Sequence, residues 1–157
     1  MKVYFWLIGK STPDFVVGGI KEYEKRIKRY IPFEIKVFPP VKNAAKLPAS
    51  ELKKAEANLL FKHLSPQDKL IALDEQGKDF TSMEFSGKLE NWMATHSGNI
   101  IFLVGGAYGI HQDISAKASQ KIALGKATYS HQIIRIMFME QLYRACTIIR
   151  GEKYHNE

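Results

Sequence analysis

The run Ile100-Ile101-Phe102-Leu103-Val104, broken at once by Gly105-Gly106-Ala107-Tyr108-Gly109, limits this chain more than any other stretch. Large apolar residues in unbroken succession suit a strand covered on both faces, as in a parallel sheet flanked by helices. Glycines directly after such a strand let the backbone turn sharply or approach a ligand where a Cβ would clash. A second loop, Gly125-Lys126-Ala127-Thr128-Tyr129-Ser130, follows the short apolar piece Ile122-Ala123-Leu124. From His131 to about Arg150 the chain reads as one long helix. Two strand-end loops and an apolar helix point to a small-molecule site.

Strands and helices alternate around that centre. Lys2 to Ile8 is a first strand, ended by Gly9. Between Asp14 and Tyr30, the residues Val16, Ile20, Tyr23, Ile27 and Tyr30 recur at helical spacing, leaving Lys and Glu on the other side. Pro32 stops that helix, and Phe33 to Phe38 is a second strand. Positions 41–49 are basic and rich in small residues, which predicts a mobile loop. A helix follows over Glu51 to Leu64, with His63 at its C-terminal end, and then a strand over Lys69 to Asp74. Glu75-Gln76-Gly77-Lys78 reads as the turn after it, and Thr81-Ser82-Met83-Glu84 as a capping box opening a helix to about His96. This alternation predicts an α/β fold: a mostly parallel sheet with helices on both faces. Residues 1–157 are expected to form a single domain, since 157 residues suffice for one core.

Lys and Arg outnumber Asp and Glu by 23 to 16, a net charge of +7. Basic groups gather at Lys21, Lys25, Arg26, Lys28 and Arg29, and again at Lys42, Lys46, Lys53 and Lys54. Such a surplus suits a polyanion such as RNA. A solvated helix face accounts for either cluster equally well, and charge alone does not choose between RNA, DNA and acidic protein. The single Cys146 rules out an internal disulfide, sits in an apolar helical pattern and reads as packing; a reducing cytoplasm fits it. No apolar run approaches the ~20 residues of a membrane helix, so no membrane partner is expected. The five histidines show no His-x-x-x-His spacing, and no metal is expected either.

The glycine loop is Gly-Gly-x-x-Gly, neither a Walker A sequence nor the dinucleotide fingerprint. A plain tight turn explains it as readily. No Gly-x-Ser-x-Gly elbow or Ser-x-x-Lys pattern is present. What remains is a site of backbone and apolar surface, suited to a cofactor that brings its own reactivity. The last helix is apolar nearly all round, from Ile133, Ile134 and Ile136 through Phe138 and Leu142 to Ile149. A partner subunit, most simply in a twofold homodimer, would cover it; a central core helix in a monomer is the alternative. Tyr154 and His155 either stack on a base or belong to a frayed end.

Taken together, Leu73-Asp74, Leu103-Val104-Gly105-Gly106 with Gly109, the loop before Ser130-His131-Gln132, Glu140-Gln141-Leu142-Tyr143-Arg144-Ala145 and the ending Tyr154-His155 resemble the RlmH family. Gly9-Lys10 and Pro13-Asp14 before Glu22-Tyr23 fit as well, so the resemblance spans essentially the whole chain. These are small SPOUT-superfamily methyltransferases of bacterial large-subunit ribosomal RNA. The resemblance implies a C-terminal trefoil knot, a homodimer and S-adenosyl-L-methionine as methyl donor. It also implies N3-methylation of a pseudouridine in 23S rRNA within the assembled, cytoplasmic ribosome. Carried across, cofactor contacts fall at Leu73, Gly105, Gly106, Gly125, Lys126, Ala127, Thr128, Tyr129 and Ser130, through backbone groups that tolerate Ala107-Tyr108 beside them. Arg144, Tyr154 and His155 become the catalytic, RNA-facing set that completes the other subunit's pocket. The proton acceptor stays open: His155 and His131 have suitable acidity, with His131 read as a structural residue at the helix start. Three rivals stand beside this reading. They are a non-enzymatic RNA- or ribosome-binding protein, a SPOUT methyltransferase with another RNA target, and an ordinary Rossmann enzyme, the last disfavoured by the absent fingerprint.

Overall fold

In the computed structural model, which describes residues 1–156, five parallel strands stand in the order β2-β1-β4-β3-β5. They are β1 (Val3–Ile8), β2 (Phe33–Phe38), β3 (Lys69–Asp79), β4 (Ile100–Val104) and β5 (Gln120–Ala123). Between and after them run α1 (Asp14–Ile27), α2 (Ala49–Phe61), α3 (Ser82–Thr95), α4 (Gln112–Lys117) and α5 (Ile133–Ile149). β4 lies in the middle, pairing with β1 on one side and β3 on the other.

That position explains the unbroken apolar run. Ile100, Phe102 and Val104 face a core with Val16 and Ile20 of α1, Phe85 and Leu89 of α3, and Phe138 and Leu142 of α5. Ile101 and Leu103 face the opposite core, against Ala57 and Leu60 of α2 and Ile114 of α4. All five β4 residues are buried, because alternate side chains enter different cores and neither face meets water. Phe102 stacks at 4.8 Å on Phe138, which is also 4.8 Å from Phe5, so these three rings tie β1, β4 and α5 together. Truncating a ring placed like this costs about 3–5 kcal/mol.

Several expectations hold and some do not. β2 has the expected limits, and Thr81 and Glu84 form the capping box in both directions. Residues 75–78 are not a turn: β3 continues to Asp79, with a bulge between Leu73 and Lys78, and the far half pairs with Ile122 and Ala123 of β5. Gly77 allows this close approach, since a Cβ there would lie 2.6 Å from the Lys121 carbonyl carbon. Positions 41–49 hold a short 3-10 turn at Ala44–Lys46, and α2 already starts at Ala49. The six-residue α4 was not anticipated, because Gln112–Lys117 is too short to display a helical period. Among the described residues no helix is long and apolar enough to cross a membrane.

Candidate active site

The C-terminal ends of β4, β3 and β5 are neighbours in the sheet, and ligands of open parallel sheets bind beyond such ends. A cleft of about 690 Å³ opens there, within the ~300–1,000 Å³ usual for small-molecule sites. Its apolar wall includes Leu73, Val104, Ile122 and Leu124, and charge is supplied by Lys53, Asp74, Glu75 and Lys121.

The glycine turn is shaped by contact as much as by conformation. A Cβ on Gly105 would meet the Gly109 carbonyl oxygen and the Ile110 side chain, each at 2.7 Å. Gly109 donates its N–H to the Gly106 oxygen at 3.0 Å and holds φ at 84°, a region side chains avoid. On Gly106 a Cβ would come within 2.8 Å of the Glu56 carboxylate. Glu56 is 8% exposed, and burial pushes its carboxyl above the usual carboxylate range.

Of the expected cofactor contacts, Leu73, Gly105, Gly106, Gly125, Ala127, Thr128 and Tyr129 line this cleft. Lys126 and Ser130 do not. Among the described residues, no backbone N–H from Gly125 to Ser130 donates a hydrogen bond within the chain, so the loop presents uncommitted donors beside the cleft. Thr128 anchors it by donating to Glu75 at 2.6 Å. Ser130 has a different task. Its Oγ accepts from Ile133 N and its carbonyl oxygen from Ile134 N, both at 3.1 Å, so it starts α5. The structural role expected of His131 therefore falls to its neighbour. His131 lines the cleft instead, together with Ile134 in the first turn of the helix.

Arg144, Tyr154 and His155 also gather, but elsewhere. Arg144 donates to Glu140 from Nη2 at 2.6 Å and from Nε at 3.0 Å, and from Nη1 to His155 Nδ1 at 3.1 Å. Its guanidinium lies 4.7 Å from the Tyr154 ring, whose hydroxyl donates to Glu140 at 3.2 Å. The hydrogen bond to Glu140 holds Arg144 above its ordinary range, and burial pushes Tyr154 up to about 12. The tail is thus tied down, not frayed. None of the three residues lines the cleft. Ile134 and Arg144 lie ten residues apart on α5, about 15 Å along its axis. A smaller cleft of about 280 Å³ adjoins this end, lined by Glu22, Arg26, Arg29, Tyr30 and Tyr143.

Pattern reading gave no role to Arg135, which is fully buried. Its guanidinium donates to Ile8 O at 2.8 Å, Gly9 O at 3.0 Å and Ser11 Oγ at 3.1 Å. It clamps the end of β1 to the first turn of α5, which is why a cation survives in an apolar helix. Cys146 is buried packing, its thiol pushed up to about 12 by burial.

A family model described as a predicted SPOUT methyltransferase matches residues 1–155. The chain belongs to that family. Within it, a protein from Parabacteroides distasonis named ribosomal RNA large subunit methyltransferase H is 46% identical over all of both chains. Another of the same name, from Cytophaga hutchinsonii, is 47% identical over 99% of this chain and 100% of its own. A solved structure, a probable methyltransferase from Bordetella pertussis Tohama I, superposes with a TM-score of 0.57. It is 15% identical, covers 92% of this chain and 94% of its own, and so speaks to the fold alone. For a SPOUT methyltransferase the family implies a methyl donor, and the cleft has the size, the apolar wall and the free backbone donors that such a group needs.

Proposed function

We propose that this SPOUT methyltransferase transfers a methyl group from S-adenosylmethionine to N3 of a pseudouridine in 23S ribosomal RNA, working as a homodimer on the assembled ribosome. The observation that carries this reading is the cleft at three adjacent strand ends, where the glycine turn and the Gly125–Tyr129 loop converge. When bound, S-adenosylmethionine supplies a methyl group already activated on a sulfonium. Leu73, Gly105, Gly106 and the loop residues hold it mainly through backbone and apolar contact, and so fix the angle of transfer.

Arg144, Tyr154 and His155 complete the site from the other subunit. Three features support that assignment: they lie off the cleft of their own chain, α5 keeps Ile136, Met137, Tyr143 and Ile148 only half-buried, and Ile133 is 42% exposed. A second copy packed on this helix would cover those side chains and bring one chain's tail to the other's cleft. There Arg144, with its fixed charge, stabilises the negative charge that develops on the base as N3 loses its proton. The basic face of α1 and of the turn after it, with Lys21, Lys25 and Arg29 exposed, meets the phosphate backbone. Residues 1–157 then act as one SPOUT unit, with its C-terminal segment threaded as a knot, and the ribosome supplies much of the recognition surface.

The test is methylation of ribosomes from a strain lacking this protein, with donor added and the 23S rRNA mapped by mass. A single new methyl group on a pseudouridine is expected. Transfer to tRNA instead would move the chain to another target. Absence of donor binding in calorimetry would leave a non-enzymatic RNA-binding protein.

A further inference from the structure

A methylated N3 must first lose a proton, so some group beside the cleft has to receive it. We infer that His131 is that acceptor, its imidazole taking the N3 proton as the methyl group arrives. The inference rests on the methyltransferase reading above and adds to it the residue that acts as base.

The geometry favours His131 for three reasons. It lines the cleft, at the junction of the Gly125–Ser130 loop and α5. Ser130 makes two of the bonds that start the helix and Gln132 O a third, and among the described residues the His131 ring makes no hydrogen bond or ion pair, so no structural duty holds it. Third, the buried Arg135 guanidinium lies one turn further along α5, bonded among the described residues to Ile8 O, Gly9 O and Ser11 Oγ and to no carboxylate. Desolvation first, and then this cation, lower the basicity of His131; the positive end of α5 works in the same direction. The ring is therefore neutral near neutral pH, the form in which it accepts a proton. The other ionisable groups of the cleft are Lys53, Asp74, Glu75, Tyr108, Lys121 and Tyr129.

The tail set is arranged for the opposite task. Arg144 keeps its proton, the Tyr154 hydroxyl is pushed up to about 12 and donates to Glu140, and His155 Nδ1 accepts from Arg144. Arg144 and Tyr154 keep protons suited to an anion, and the His155 nitrogen facing Arg144 is already taken by that bond. The step balances as follows. The N3–H bond breaks toward the His131 ring nitrogen, and the N3 electron pair forms the bond to the methyl carbon. The carbon–sulfur bond breaks with its electrons left on sulfur, which becomes a neutral thioether. His131 then returns its proton to solvent.

Two measurements test this. In the ligand-free full-length protein, the His131 ring followed by NMR should titrate below the ordinary histidine range; a midpoint above it would overturn the proposal. In single-turnover methylation of ribosomes, His131→Gln and His131→Gly should bind donor as wild type does in calorimetry. Both should lose about 10²–10³-fold in rate, with the deficit shrinking as pH rises and hydroxide takes over, and added imidazole should restore part of the His131→Gly rate. Unchanged rates, or rate loss matched by an equal loss of donor affinity, would exclude a proton-transfer role. Failure of the wild-type protein to methylate any ribosome sinks the underlying reading instead, so the two failures are told apart.

Discussion

At its first turn α5 borders an open cleft whose shape is set by backbone and apolar side chains, with His131 and Ile134 on its wall. At its last turns the same helix carries a closed net of charge in which Glu140 accepts from Arg144 and Tyr154. The first end is shaped to receive and the second to donate. Nothing within one chain brings them together, for none of Arg144, Tyr154 or His155 lines the cleft. In the homodimer proposed above, a second copy lying antiparallel to this helix would bring its far end, about 15 Å along the axis, to the cleft at the near end. The contrast teaches that completeness of a site and completeness of a chain are separate matters.

The most damaging intervention should be at the cleft. Gly105→Val places its branches where the Gly109 carbonyl and Ile110 already sit, 2.7 Å from the first added carbon. Donor binding in calorimetry is expected to be lost, with dimer mass retained in ultracentrifugation. Normal affinity would remove this turn from the site. Arg144→Ala should show the complementary defect: donor affinity kept, and turnover on ribosomes lowered about 10²–10³-fold, the usual cost of deleting a donor aimed at developing negative charge. Dimers mixed from these two variants sharpen the comparison, because each carries one intact cleft and one intact tail. Activity recovered in the mixture places the two halves on different subunits; none recovered returns them to a single chain.

A smaller effect is expected behind the turn. Gly106→Ala pushes a methyl to 2.8 Å from the Glu56 carboxylate, the end of a flexible side chain. Donor affinity should fall by about tenfold, some 1.4 kcal/mol, and shortening Glu56 to Ala in the same chain should recover part of it. Glu56→Gln alone is smaller still. Burial raises the folded-state pKa of Glu56, so the neutral acid is the form the fold prefers. Its contribution is fully present below the unfolded pKa and is lost as pH rises through the folded value. The Gln variant should therefore melt higher than wild type at neutral pH, with the gap closing in acid. A gap independent of pH would assign the gain to packing.

Much of this was legible from residue order, and the reasons differ by element. Ile100 to Val104 announced β4 because a strand covered on both faces has nowhere for a polar side chain. Thr81 and Glu84 announced the start of α3 because reciprocal capping needs those two types at that spacing. The second half of β3 was hidden, since Glu75-Gln76-Gly77-Lys78 carries turn residues and is held in the sheet only by β5, far along the chain. His131 was misplaced for a similar reason. Proximity to the helix start is visible in sequence, whereas the bonds of Ser130 that relieve it of that duty are not. Arg135 has no role visible in the pattern because the three oxygens around it all lie more than 120 residues away in sequence. The RlmH-type motifs pointed to Arg144, Tyr154 and His155 as a set belonging to another subunit's pocket, but not to the Glu140 carboxylate that ties Arg144 and Tyr154 together.

That long reach of Arg135 also orders events during synthesis. The carbonyls at the end of the first strand receive their donor from a residue more than 120 positions further along the chain, so this corner stays open until α5 has been made. Until α5 docks, the end of the first strand keeps two carbonyls without the guanidinium that seals them.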